Sequence, residues 1–295
     1  MQGSFSYTVA TKGDEDQKIV QFRVSHSPLN VDTIQRAQEV HGAVVPLAQY
    51  HGELGDGPTA PLKVYAMEKL PGVTYIDMVL DHLRDSSPPM PKLQTIQDLS
   101  RYFTSAWLHP EHVTQAKRQE SQEHVSRKLS ILSSVLPQRF HTLISSLQAD
   151  LPQLYSPAYP QVLTYGDLCE MNILVMPETG RISGIVDWAE ASILPFGTEL
   201  WGLENMLGSM GSQGWKHDEN RGKLEEEFWR LFWGTIDVEE REGLKGRLGR
   251  TVRVARGIGI LLRHGFTWDE GVHERPISAA DTNSLRYLDA FLLST

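Results

Sequence analysis

Apolar positions near the start of the chain recur every second residue, then every third, and the change of period separates its elements. Residues 6–11 and 18–24 alternate polar and apolar side chains around Lys12-Gly13-Asp14-Glu15-Asp16, which predicts two strands joined by a polar turn. Residues 31–41 space Ile34, Ala37 and Val40 by three, with Asn30 or Asp32 to open a helix and Gly42 to close it. Val44-Val45-Pro46 begins another extended segment, and 62–67 reads as a strand. Glu68-Lys69-Leu70-Pro71-Gly72 breaks that strand sharply, so a strand-rich front, 1–72, gives way there to a larger back, 73–295.

The back is mainly helical. Helical spacing recurs over 76–84, 92–107 and 120–149, with Ser86-Ser87-Pro88-Pro89 between the first two and Leu136-Pro137 interrupting the third. Embedded after them, 162–164 is a short apolar approach, and the runs 173–176 and 182–186 flank Pro177-Glu178-Thr179-Gly180, a hairpin pattern. Over 223–233, Leu224, Phe228, Leu231 and Phe232 form an apolar stripe with Trp229 and Trp233 beside it, which reads as core. Val252, Ala255, Ile258, Gly259 and Leu262 mark a helix over 251–263, its glycines predicting close packing and Gly265 its end. A polar, aromatic loop around 268–274 precedes a last helix, 284–293. The expected class is α+β, a small antiparallel sheet ahead of a mainly helical part.

Composition narrows the function. The 295 residues suffice for two packed lobes, and a net charge of −9 with no lysine or arginine run argues against a protein held on nucleic acid by phosphate contacts. The single cysteine, Cys169, excludes an internal disulfide and a cysteine-cluster metal site, and reads as a small residue filling a loop. With no secretory leader and no run of about 18 apolar residues, the expectation is a cytoplasmic protein with no membrane partner.

The candidate chemistry gathers at the hairpin. Asp167 and Asn172 precede its first strand and Asp187 ends its second, so three oxygen-bearing side chains converge at one end, a set suited to magnesium. Asp167, on a tight loop after Gly166, suits a general base for a hydroxyl proton. Taken singly, Asp167 reads equally as a turn cap and Asp187 as a strand end. Gln2-Gly3-Ser4-Phe5-Ser6 is a small-residue loop whose amides could approach a phosphate. Arg23 projects from the second strand on the side opposite Phe22 and Val24.

The run Tyr165-Gly166-Asp167-Leu168-Cys169-Glu170-Met171-Asn172, with Gly184-Ile185-Val186-Asp187-Trp188, resembles the aminoglycoside phosphotransferase and choline kinase family of the protein-kinase-like fold. That resemblance implies a two-lobed, ATP- and magnesium-dependent phosphotransferase acting on a small-molecule hydroxyl. It implies that Asp167 orients and deprotonates the acceptor, that Asn172 and Asp187 hold metal, that Arg23 and the Ser4 loop meet phosphate, and that the backbone at Glu68 and Leu70 meets adenine. Pro195, Glu199 and Leu200 occupy the places of the family's proline and Asp-Leu pair after the metal element. The chain departs from the pattern at Tyr165, where the family has histidine, and at Arg23, where it usually has lysine. Those departures favour the alternative, a kinase-like nucleotide-binding protein with little turnover. Asp32 and Glu39 are equal candidates for Arg23's acidic partner. For the acceptor, Glu190, Trp201, Glu204, Trp268, Asp269 and Glu270 would suit a cationic amine or amino alcohol. Oligomeric state is left open.

Overall fold

A computed structural model describes residues 6–11, 18–55, 61–85, 91–236, 244–269 and 273–293. In chain order the elements are β1 (Ser6–Ala10), β2 (Lys18–Arg23), α1 (Val31–His41), β3 (Ala48–Leu54), β4 (Leu62–Glu68), β5 (Val73–Thr74), α2 (Tyr75–Asp85), α3 (Lys92–Leu108), α4 (Gln115–Val135) and α5 (His141–Leu154). There follow β6 (Gln161–Thr164), β7 (Ile173–Val175), β8 (Ile182–Ile185), β9 (Ser192–Pro195), α6 (Trp201–Met206), β10 (Gly208–Gly211), β11 (Gly214–His217), α7 (Arg221–Thr235), α8 (Leu244–His264), β12 (Phe266–Asp269), β13 (His273–Pro276) and α9 (Thr282–Leu292). A small antiparallel-sheet amino-terminal region thus precedes a helical carboxyl-terminal part, the α+β class expected. They pack as two compact units, Met1–Asp98 with Tyr165–Ala191, and Leu99–Thr164 with Ser192–Thr295.

In the first unit, β1, β2, β4 and β3 form an antiparallel sheet in that order. β2 pairs Gln21 with Tyr65 and Arg23 with Lys63, and paired residues share a face, so Gln21, Arg23 and Tyr65 project together. Helix α1 buries Ile34, Ala37 and Val40, and the Asn30 side chain caps it by accepting from the Thr33 amide at 3.1 Å. Strand β3 went unrecognised in the sequence beyond its extended approach. Its polar composition lacks a clean period of two, and a bulge between Tyr50 and Gly52 breaks the alternation.

A second sheet, β5-β7-β8, ties the segment after the break to the hairpin. Val73 pairs with Val175 and Ile173 with Ile185. Gly72 makes the junction: its φ is 104°, and a Cβ there would lie 2.5 Å from the Val175 carbonyl oxygen. The Ser183 hydroxyl donates to the Pro71 carbonyl at 2.5 Å.

The second unit is built on an aromatic core. Phe196 and Phe232 stack at 5.3 Å, Trp107 meets Phe196 edge-on at 4.8 Å, and Phe103 meets Phe228 at 5.8 Å. Leu224, Phe228 and Phe232 of the predicted stripe are buried, at about 1.5–3 kcal/mol each for the larger side chains. Gly259 brings α8 against the Thr198 carbonyl. The segment expected as a polar loop near 268–274 contains the strands β12 and β13, paired from Phe266 with Pro276 to Asp269 with His273.

Candidate functional site

Strand β6 leads the chain into the loop 165–172, and a buried tyrosine anchors the loop's start. Tyr165 is fully buried; its hydroxyl donates to the Val186 carbonyl, and its ring meets Trp188 edge-on at 4.9 Å. Tyr165 thus ties the start of the loop to the end of the hairpin. Gly166 follows with φ 91°, and a Cβ on it would meet the Glu190 carbonyl oxygen at 2.5 Å, so glycine is required.

The loop then closes on itself. The Asn172 side-chain amide donates to Asp167 Oδ2 at 2.8 Å and to the Asp167 carbonyl at 3.1 Å. The Cys169 amide donates to the Asp167 carbonyl at 2.7 Å, and the Asn172 amide to the Cys169 carbonyl at 3.0 Å. Asp167 is thereby oriented by a neutral donor, and Cys169 is buried as the loop filler it was expected to be.

Asp187 reaches the same place through strand register. Val186 donates to the Asn172 carbonyl at 3.0 Å, so Asp187 stands one residue beyond the end of the β7–β8 ladder, beside Asn172. Its backbone is left-handed, φ 67° and ψ 62°, the only such non-glycine conformation among the described residues. Asn172 and Asp187 suit magnesium, which takes one or two protein oxygens and completes its shell with water and phosphate. No cluster of three or more histidine, cysteine, aspartate or glutamate side chains able to hold a metal occurs among the described residues.

Arg23 is brought in from β2. Its side chain is 3% exposed, and Nη1 lies 3.0 Å from Asp187 Oδ1. The remaining contacts are neutral: Nε to the Ser27 carbonyl at 2.7 Å, Nη2 to Ser27 Oγ at 3.0 Å and Nη1 to Gln21 Oε1 at 3.1 Å. Neither expected acidic partner touches it. Glu39 pairs with Arg36 at 3.1 Å on the exposed side of α1, and Asp32 is exposed in that helix's first turn. Helical spacing made both carboxylates eligible, but the face of α1 that meets the sheet is wholly apolar.

Glu68 ends β4 opposite Lys18, its amide bonded to the Leu47 carbonyl at 3.3 Å. Leu70 packs on the hairpin, where a Cβ added to Gly184 would lie 2.7 Å from Leu70 Cδ1. A hollow of about 390 Å³ is lined by Lys18, Ala66 and Glu68 from the sheet face opposite Arg23, together with Leu47, Ala48, Gln49 and Met67. Ser4 lies outside the described residues.

The acceptor candidates divide. Glu204 is completely buried, held by Arg256 and, at 3.4 Å, by Arg221, so its charge is already compensated. Burial lowers the Arg256 pKa to about 10, which leaves it a cation at neutral pH. Trp201 is buried with the Arg263 guanidinium 4.7 Å from its ring centre. Neither fits the free amine contact expected of it, and only tertiary packing reveals the arginines that occupy them. Asp269 is bound to Arg275 at 2.9 Å, Trp268 is exposed, and Glu270 lies outside the described residues. Glu190 is exposed, with its backbone against Gly166. Two polar contacts passed over in the sequence are Gln21 and Ser27, which carry no motif.

Residues 29–232 match the phosphotransferase enzyme family. Among solved structures, Plasmodium vivax ethanolamine kinase is 12% identical over 100% of this chain and 81% of its own, with a TM-score of 0.53. A glucosamine kinase in complex with glucosamine, ADP and inorganic phosphate is 14% identical over 88% of this chain and 71% of its own, with a TM-score of 0.50. An aminoglycoside-3'-phosphotransferase of type VIII is 16% identical over 87% and 89%, with a TM-score of 0.49. No curated protein sequence matches the chain. At such identities the structural likeness is one of fold, whereas the family match spans most of the sequence and includes the loop and hairpin that carry Asp167, Asn172 and Asp187. The chain belongs to the phosphotransferase enzyme family, with the protein-kinase-like fold of the small-molecule kinases.

Proposed function

We propose that this phosphotransferase moves the terminal phosphate of ATP to a hydroxyl of a small molecule, with an amino alcohol or amino sugar as the preferred class of acceptor. The observation that carries the reading is the joining of Asp167 to Asn172 at 2.8 Å and of Arg23 to Asp187 at 3.0 Å around one end of the β7–β8 hairpin. A base, a cation and two metal-binding oxygens are what phosphoryl transfer asks of a protein, because positioning and charge neutralisation supply most of the acceleration.

Asp167 accepts the acceptor's hydroxyl proton as the new oxygen–phosphorus bond forms and the bond to the β-phosphate oxygen breaks, releasing ADP. Asn172 and Asp187 hold magnesium, which when bound neutralises phosphate charge. Arg23 meets the phosphates, with the Ser4 loop above them, and the backbone at Glu68 and Leu70 receives adenine. Residues 1–72 serve as the nucleotide-binding lobe and 73–295 as the helical lobe that carries the acceptor site. Glu190, exposed and with its backbone against Gly166, suits the acceptor's amine. The ethanolamine and glucosamine kinases that share the fold are named for acceptors bearing both an amine and a hydroxyl. No described helix is long and apolar enough to cross a membrane.

ATP consumption measured against amino alcohols, amino sugars and aminoglycosides tests the reading, with Asp167→Asn as control. Turnover that survives the substitution refutes the assigned base. The competing reading, a nucleotide-binding protein with little turnover, has in its favour that Arg23 replaces the usual lysine. A thermal shift with ATP and magnesium but no consumption of any acceptor would select it.

A further inference from the structure

We infer that Gln21 and Ser27 are the positioning residues of Arg23, filling the place expected for an acid on α1, so that the guanidinium keeps its charge for nucleotide phosphate. The inference rests on the phosphotransferase reading of this site and concerns how its cation is held. Three of Arg23's contacts go to neutral oxygens, the Ser27 carbonyl at 2.7 Å, Ser27 Oγ at 3.0 Å and Gln21 Oε1 at 3.1 Å. Gln21 is buried and is oriented in turn, its amide donating to Ser6 Oγ at 3.3 Å and Thr8 Oγ1 at 3.4 Å.

Neutral dipoles fix direction without cancelling charge, whereas a carboxylate at the same place would do both. Among the described residues the sole charged contact of Arg23 is Asp187, 3.0 Å away, itself a proposed metal ligand. A buried cation needs a counter-charge. With Asp187 engaged by metal, Arg23 would keep neutral partners only among the described residues, and phosphate would supply the missing charge. Metal and nucleotide phosphate therefore bind cooperatively by exchanging the partners of one ion pair.

Calorimetric titration of the full chain with ATP and with adenosine, each at saturating magnesium and in EDTA, tests this. Gln21→Glu keeps the side chain's shape while adding the missing carboxylate. It is expected to weaken ATP about tenfold, the scale of one charge-assisted contact, with adenosine unaffected. Ser27→Ala is expected to weaken ATP about threefold, since the carbonyl contact remains. Asp32→Asn and Glu39→Gln should stay within about twofold of wild type, as exposed surface changes do. The inference is overturned if either of those two weakens ATP as much as Gln21→Glu, if Gln21→Glu spares ATP, or if it weakens adenosine equally, the mark of a general structural effect. ATP binding to wild type that gains nothing from magnesium overturns the exchange of partners. A wild-type chain that binds ATP in neither condition overturns the kinase reading along with this one.

Discussion

Asp187 holds a left-handed backbone that costs an ordinary L-residue about 1–2 kcal/mol, and aspartate is among the few that adopt it as single residues. That conformation turns the chain off the hairpin and places the carboxylate beside Asn172 and Arg23. Asp167→Asn should keep the fold, because an amide oxygen can still accept from Asn172, while turnover falls by about 10²–10⁴ in a steady-state ADP-release assay. Tyr165→Phe removes the donor to the Val186 carbonyl and should lower stability by about 1 kcal/mol in urea unfolding. At this scale the proximity of Asp167, Asn172 and Asp187 was legible because they lie in two short motifs joined by one hairpin. Gln21 and Ser27 were not, because a neutral side chain earns meaning only from what it touches.

Among the elements, the connection between β5 and β7 makes Gly72 sensitive. Gly72→Ala must place a Cβ 2.5 Å from a backbone oxygen at φ 104°, and neither can shift without breaking the Val73–Val175 pairing. The expected loss is about 2 kcal/mol or more by chemical denaturation, with a weaker thermal shift on adding ATP as the strand-to-hairpin segment is displaced. Helix α1 matched its prediction because its buried residues follow the helical period on a single face. Strands β10 to β13 were missed because Gly208-Ser209-Met210-Gly211 and His273-Glu274-Arg275-Pro276 carry little of the apolar alternation that marks a strand. They form because their partners are adjacent in the chain.

For the whole molecule, acid stability should depend on a histidine outside the reaction centre. His264 ends α8 half-buried, its Nε2 shut off from solvent, with Tyr287 stacked at 4.6 Å and Trp201 and Phe291 edge-on. A helix carboxyl terminus favours an imidazolium, but desolvation, with Arg263 adding repulsion, outweighs it and lowers the pKa to about 3. The unfolded chain takes up a proton below about 6.5 that the folded one refuses until about 3. Stability is therefore complete above 6.5 and declines by about 1.4 kcal/mol per pH unit as the pH falls through that window. His264→Leu should flatten the decline between pH 6 and 4 in denaturant titrations at stepped pH.

The sequence by itself determined that Asp167, Asn172 and Asp187, the proposed reaction centre, lie at one end of the hairpin, since a loop of fixed spacing followed by a hairpin brings them there through local register alone. It also determined the helices with a clear period, the break at Gly72 and the class of fold. Tertiary structure decided which charges remain available. Arg23 meets Asp187 across 164 residues of sequence, Glu204 is consumed by Arg256 and Arg221, and the two acids of α1 lie exposed, with Glu39 paired to Arg36. Such pairings depend on distances between separate segments, and a one-dimensional pattern of residue types contains no such distances.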